Sequence, residues 1–209
     1  MVVSFNFYYA QPGQQDAVLR QRLRACEVRQ DLGIPRGRVL SRITGAAALP
    51  DVVWEHRFED VGGHHADMAV RAASPEFEAV RAGMRKLCRR FERPLFEDCT
   101  TAAGSDTAPA SGIVTLDWIF CSPEKTEEIL AFLDQHARRH VQQGYNGGQL
   151  LRLITPGNDL PALVWRRDFL DSTSHERVQA EMARRSEQQW PAQINALAQF
   201  VEHSLWRVV

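Results

Sequence analysis

The sequence lacks most of the devices that announce a chemistry. Its 209 residues hold no Gly-rich phosphate loop, no GxSxG elbow and no HExxH helix, so neither nucleotide binding nor the common hydrolase mechanisms are indicated. Cysteine is sparse. Cys26, Cys88, Cys99 and Cys121 show no CxxC spacing, which argues for buried or idle thiols rather than a disulfide framework or a zinc site. No stretch approaches the roughly 18 apolar residues of a membrane span. The opening Met1-Val2-Val3-Ser4-Phe5-Asn6 lacks the basic region and apolar run of a signal peptide, so a cytoplasmic protein without a membrane partner is expected. Excess charge is missing as well: 25 Lys and Arg stand against 26 Asp and Glu, and nothing draws the chain to nucleic acid. The arginine-rich run from Arg81 to Arg90 reads as the solvated face of a helix whose Val80, Met84 and Leu87 turn inward.

What the chain has is a repeat. Val3, Pro12, Leu19, Gly33, Gly37, Leu40, Ile43, Thr44, Leu49, Pro50, Val53, Trp54, Phe58, Asp60, His64 and Ala69 recur, 111 positions later and without a gap, as Val114, Pro123, Leu130, Gly144, Gly148, Leu151, Ile154, Thr155, Leu160, Pro161, Val164, Trp165, Phe169, Asp171, His175 and Ala180. The shared residues are mostly turn glycines, prolines and strand apolars, so the repeat speaks of architecture more than of chemistry. It divides the chain into a first module, 1–98, a small polar linker, 99–112, and a second module, 113–209.

Each copy has the same order of elements. Ser4 to Tyr9 and Thr115 to Phe120 read as strands closed by Pro12-Gly13 and Pro123. A helix follows, with an inward stripe at Leu19, Leu23 and Cys26 in the first copy and at Ile129, Leu133 and Ala137 or His136 in the second; Gly33 and Gly144 suit its C-terminal end. Arg38 to Thr44 with Asp51 to Glu59, and Gln149 to Thr155 with Ala162 to Leu170, form hairpins. A second helical stretch carries Phe77, Val80, Met84, Leu87 and Phe91, or Trp190, Ile194, Leu197 and Val201, and is interrupted at Ser74-Pro75 and near Trp190-Pro191. Pro94 to Glu97 and Ser204 to Val208 close the copies as strands. The order β-α-β-β-α-β predicts two tandem ferredoxin-like modules of the α+β class. Between the copies Glu55 becomes Arg166 and Arg57 becomes Asp168, a double reversal of sign that would let the two sheets pair.

The run Val53-Trp54-Glu55-His56-Arg57-Phe58-Glu59-Asp60 before a helix, after a first strand ending at Pro12-Gly13, resembles the dimeric α+β barrel superfamily, which includes antibiotic-biosynthesis monooxygenases and stress-responsive barrels. The resemblance implies two antiparallel sheets packed face to face, here as an intramolecular pseudo-dimeric barrel, in a monomer or a homodimer. In the oxygenase branches an Asn on the first strand and a Trp near the end of the third line a cavity between sheet and helices. Asn6 matches the first; Phe58 and Phe169 hold the place of the second, with Trp54 and Trp165 four residues earlier on the same strand face. No His occurs from Ala79 to Leu87, where a haem ligand would be sought, so no cofactor is expected. The resemblance implies Asn6 and Asp117 orienting an oxyanion or hydroxyl, His64 or His175 as general base, and Trp54, His56, Phe58, Trp165, Arg167 and Phe169 around a substrate.

Each residue also has a plainer reading. Asn6 suits a hydrogen-bonded core group, the tryptophans suit core aromatics, and His64 and His175 suit packing or capping near Asp60 and Asp171. His136 and His140, at i and i+4, lie on one helix face, but no third ligand is spaced to join them, so no metal is expected. Two functions follow. One is a cofactor-independent monooxygenase-like or cyclase-like enzyme acting on a small aromatic or polyketide-type molecule; the other is a non-enzymatic ligand-binding or assembly module. A cavity into which Asn6 and His64 both point favours the first.

Overall fold

Nine consecutive buried residues, Val2–Ala10, form the first strand, β1. Its alternate side chains face opposite ways. Asn6, Tyr8 and Ala10 point to the helices, and Val3, Phe5 and Phe7 to the other side, where Phe5 packs on Phe7 and Phe96. This computed structural model describes residues 1–101, 111–157, 159–184 and 189–209, with only the backbone of 189–192. They fold as two units of the α+β class, Met1–Arg42 with Ala47–Phe96 and Val209, and Ile43–Ala46 with Glu97–Val208. Most of the expected linker, 102–110, lies outside the described residues, as do Asn158 and the side chain of Trp190.

In the first unit β1 leads to α1 (Gln15–Asp31), β2 (Arg38–Thr44), β3 (Val52–Phe58), α2 (Val61–Ala72), α3 (Pro75–Leu87), β4 (Cys88–Glu92) and β5 (Leu95–Asp98). The strands pair antiparallel in the order β2-β3-β1-β4. Asp60 caps α2 by accepting from the Gly63 amide, and Ser74 caps α3 by accepting from Phe77, with Pro75 in the first turn where its missing N–H costs nothing. The helical break therefore falls at Ser74-Pro75, as the sequence suggests.

Two local expectations need correction. Phe91 is not the last residue of a helical stripe: the helix stops at Leu87, and Phe91 is an exposed residue of β4. Nor is the inward stripe of α1 centred on Leu19 and Leu23. The fully buried positions are Val18, Arg22, Ala25, Cys26, Val28 and Arg29, and the two leucines pack at the margin. The helix is thus turned to bring two arginines inward, which hydrophobic spacing alone would not suggest.

The second unit repeats the plan with β6 (Gly112–Phe120), α4 (Pro123–Gln142), β7 (Gln149–Leu153), β8 (Leu163–Phe169), α5 (Ser172–Arg184), α6 (Gln189–Leu197) and β9 (Phe200–Val208), its strands paired in the order β7-β8-β6-β9. Here the expected stripe holds: Ile129, Leu133, His136, Ala137 and His140 face inward. Val201, expected in a helix, belongs to β9, which is longer than the Ser204 to Val208 strand expected.

One recurrent device ties loop to sheet in both units. Gly37 has φ +72°, and a Cβ there would stand 2.4 Å from Trp54 Nε1. Gly148 has φ +78°, and a Cβ would stand 2.6 Å from Trp165 Nε1. Each indole N–H donates nearby, Trp54 to the Arg36 carbonyl and Trp165 to the Gly147 carbonyl, both at 3.0 Å. The repeated Gly and Trp are partners in one joint, which accounts for their recurring together.

Candidate functional site

Trp54 on β3 sits beneath charge. The guanidinium carbons of Arg22, Arg29 and Arg71 lie 4.5, 4.7 and 5.9 Å from its ring centroid. Asp67 on α2 holds two of these arginines, at 2.6 Å to Arg29 and 2.7 Å to Arg71, and all three side chains are at least nine-tenths buried. Burial would raise the Asp67 carboxyl, but the hydrogen bond from Arg29 and the charges of Arg71 and Arg29 outweigh it and hold Asp67 below the usual carboxylate range. Arg22 is different. It is 2% exposed; Nη1 donates to the Tyr8 hydroxyl at 3.2 Å, Nη2 lies 3.5 Å from Cys26 Sγ, and Nε has no partner. No carboxylate pairs with it among the described residues.

Beside this cluster is a cavity of about 250 Å³. Asn6 and Tyr8 of β1 form its floor, Arg22 and Ala25 of α1 one side, Phe77, Val80 and Met84 of α3 the apolar wall, and β4 the last side. Asn6 Nδ2 donates to the Tyr8 hydroxyl at 3.3 Å. Arg81, Arg85, Arg89, Arg90 and Arg93 also line it, so the arginine run, exposed at Arg85, Arg89 and Arg90 as expected of a solvated face, also borders a pocket, and Arg89 and Arg90 belong to β4 rather than to the helix. Cys88 lines it too, and burial followed by the nearby Asp51 pushes its thiol up to about 11, so it stays protonated at neutral pH.

Of the residues expected at a site, Asn6 lines this cavity, whereas Trp54, His56, Phe58 and His64 form a row beside it. Pairing of Asn6 with Trp54 and of Ser4 with His56 puts them on the helix-facing side of the sheet. Ring centroids step 5.6 Å from Trp54 to His56, 4.4 Å to Phe58 and 5.2 Å to His64. Burial, then Arg29, pushes His56 down to about 4, and burial, then Arg71, lowers His64. Both are neutral at pH 7, and His64 Nδ1 is buried without a partner.

The second unit uses the same positions differently. Asp117, where the first unit has Asn6, is 2% exposed and accepts from Arg167 at 2.9 Å, with His203 Nδ1 at 2.7 Å. Arg167 lies 4.3 Å over Trp165. Burial would raise Asp117, but Arg167 and His203 outweigh it; the same contact raises His203. His175 packs edge-on against Phe169 at 5.0 Å, and burial followed by Arg167 lowers it. His136 and His140 have ring centroids 4.5 Å apart, and both pack on Trp165. Burial, then His136, pushes His140 down to about 3. Among the described residues no group of three His, Cys, Asp or Glu could hold a metal, and no helix is long and apolar enough to cross a membrane.

The residues around the cavity that the sequence left unmarked are those the repeat does not share. Arg22, Asp67 and Arg71 stand where the second copy has Leu133, Val178 and Met182. A charged residue in one copy facing an apolar one in the other was the available signal.

No protein-family model matches the sequence, and no curated protein does. Solved structures resemble it in fold. An anthrone oxidase-like protein aligns with a TM-score of 0.66 at 12% identity, over 100% of this chain and 90% of that one. A proposed monooxygenase of Fusobacterium nucleatum subsp. nucleatum ATCC 25586 aligns with a TM-score of 0.65 at 10% identity, over 99% and 91%. Another, from Lactobacillus acidophilus NCFM, gives 0.57 at 8%, over 100% and 92%. At such identity the likeness concerns the fold.

Proposed function

We propose that the protein binds a small molecule in the cavity of its first unit and is a monooxygenase-like member of the α+β barrel type, built from two tandem ferredoxin-like modules, 1–98 and 113–209. The observation that carries the reading is the cavity itself: a space of about 250 Å³ with an apolar wall, a polar floor of Asn6 and Tyr8 and a border of arginines. Such a space is the usual form of a small-molecule site. The names of the neighbours, anthrone oxidase-like and proposed monooxygenases, support an aromatic or polyketide-type ligand. Within this reading Asn6 and Tyr8 orient an oxygen of the ligand. His64 and His56 stand in the adjoining row rather than in the lining, so proton transfer by His64 would need a ligand reaching past Trp54. Asp117, His175, Arg167 and Phe169 form the corresponding cluster of the second unit.

A second reading, binding without chemistry, is favoured by one observation: the described lining contains neither a carboxylate nor a histidine. Thermal unfolding against aromatic, quinone-like and polyketide-like compounds, on the wild type and on Ala25→Leu, which pushes a side chain into the cavity, tests both. A ligand at a hundred times its Kd stabilises the native state by about 2.7 kcal/mol, which for a chain of this size raises Tm by about 5–10 °C. A shift lost in Ala25→Leu supports the cavity; one retained there overturns it. Oxygen consumption with the hit supports the enzyme, and none supports the binding module.

A further inference from the structure

We infer that the cavity of the first unit selects an organic acid, a carboxylate carried on a flat apolar body, and that Arg22 with Tyr8 is its anchor; the inference rests on the cavity being the ligand site. Two buried N–H and O–H groups there, Arg22 Nε and the Tyr8 hydroxyl, have no acceptor among the described residues. Arg22 is charged at every accessible pH, and it has no carboxylate partner among the described residues, while its Nε is buried and bonded to nothing. Its Nη1 and the Asn6 amide both donate to the Tyr8 hydroxyl, at 3.2 and 3.3 Å. A hydroxyl that accepts twice keeps its own proton for an acceptor, and no hydrogen bond from Tyr8 is present among the described residues. A buried charge and a buried hydroxyl both gain from an oxyanion that would satisfy them.

The rest of the lining agrees in sign. The cavity has seven arginines and no acidic residue in its described walls. Asp67 compensates Arg71, Glu78 compensates Arg81 and Arg85, and Glu92 compensates Arg90. Arg89 and Arg93, exposed at the rim, have no carboxylate partner among the described residues, and Arg93 lies over the Phe91 ring at 4.6 Å. Positive rim charge raises the local concentration of anions. A highly charged phosphate would find one buried guanidinium without a carboxylate, Arg22, a second, Arg71, already paired with Asp67, and a wall of Phe77, Val80, Met84 and Ala25, whereas a monoanion with an aromatic body matches both halves of the site. The second copy lacks the anchor, with Leu133 for Arg22 and Ile119 for Tyr8.

The test is calorimetric titration with matched pairs, 2-naphthoate against 2-naphthamide and benzoate against benzamide. In the wild type the acids are expected to bind at least about tenfold tighter than their amides, as a charge-assisted bond requires. Arg22→Met should bring acid down to amide while leaving amide affinity within about twofold; Arg22→Lys should retain part of the preference. Tyr8→Phe, which keeps the ring, should weaken the acid several-fold and spare the amide, and it carries the test if Arg22→Met does not fold. Equal binding of acid and amide by the wild type, or a preference that survives Arg22→Met, overturns the inference and leaves the cavity reading standing. Binding of neither member of either pair overturns both.

Discussion

Asp67 holds together two buried arginines of the first unit. Replacing it with Val, the residue at the corresponding position of the second copy, leaves the guanidinium groups of Arg29 and Arg71 buried with no carboxylate between them, at 0% and 9% side-chain exposure. Breaking a buried ion pair from one side costs about 3–5 kcal/mol, because the surviving charge keeps its desolvation penalty and loses its compensation. With a urea m-value of about 2 kcal/mol/M, the midpoint should fall by about 2 M. Removing all three charges is a different perturbation. Arg29→Met, Asp67→Val, Arg71→Met replaces the network with apolar volume, and such swaps are often neutral or stabilising. The lost bond from Arg29 Nε to the Pro35 carbonyl, 2.8 Å long, returns about 1 kcal/mol of that gain. The triple variant should therefore recover at least half of the stability lost by Asp67→Val. Acidity gives a further check. The folded Asp67 titrates below its ordinary value, so its contribution is complete above the unfolded pKa and is lost as pH falls through the lowered one; the gap between wild type and Asp67→Val should begin to narrow below about pH 4. Urea unfolding followed by circular dichroism at pH 7 and pH 3 reads all of this. A cost under about 1 kcal/mol for Asp67→Val, or a triple variant no better than the single, would refute the reasoning.

Three other outcomes are expected. Gly37→Ala and Gly148→Ala force a Cβ onto Trp54 Nε1 and Trp165 Nε1 at a positive φ, and each should destabilise by more than about 3 kcal/mol in denaturant unfolding; tolerance of either would show that the Trp-to-loop joint is dispensable. Ser74→Ala removes the cap of α3 and should cost about 1 kcal/mol, recovered by Ser74→Asp. His203 should titrate above 6.5 by NMR, because Asp117 holds its protonated form. That pair then adds stability in full below the unfolded pKa and loses it as pH rises through the raised one. In Asp117→Asn the titration should drop, and a wild-type value at or below 6.5 would sink the pairing.

Architecture was the legible part of this sequence because turn glycines, Ser74-Pro75 and the strand hairpins are local signals. Arg38 to Thr44 reads the same in sequence and structure. Where a signal depended on partners it failed. Phe91 continues a helical spacing, but the backbone turns to pair with Tyr8, a contact 83 residues away in the chain that no periodicity contains. The α1 stripe failed for a related reason: burying Arg22 and Arg29 is favourable only with Asp67, Trp54 and Tyr8 around them, and those come from three other elements. Repeated residues point to His64 and Trp54, which stand in the row beside the cavity, whereas Arg22 and Arg71, which line it, are positions where the copies part. Asn6 was legible because a lone amide in an aromatic strand is anomalous without any partner being known.

The placement of Arg22 has an optical consequence. Its guanidinium stands 4.5 Å above the Trp54 indole and also forms part of the cavity wall. The excited state of indole moves charge across the ring, so its emission energy depends on the field of that cation. An anion bound at Arg22, as the cavity is inferred to hold, would cancel part of the field and shift the Trp54 emission without touching the tryptophan. Trp54 would then serve as a built-in fluorophore for the proposed site, coupled to it through Arg22 and also through Arg71, which lines the cavity and stands 5.9 Å from the same ring.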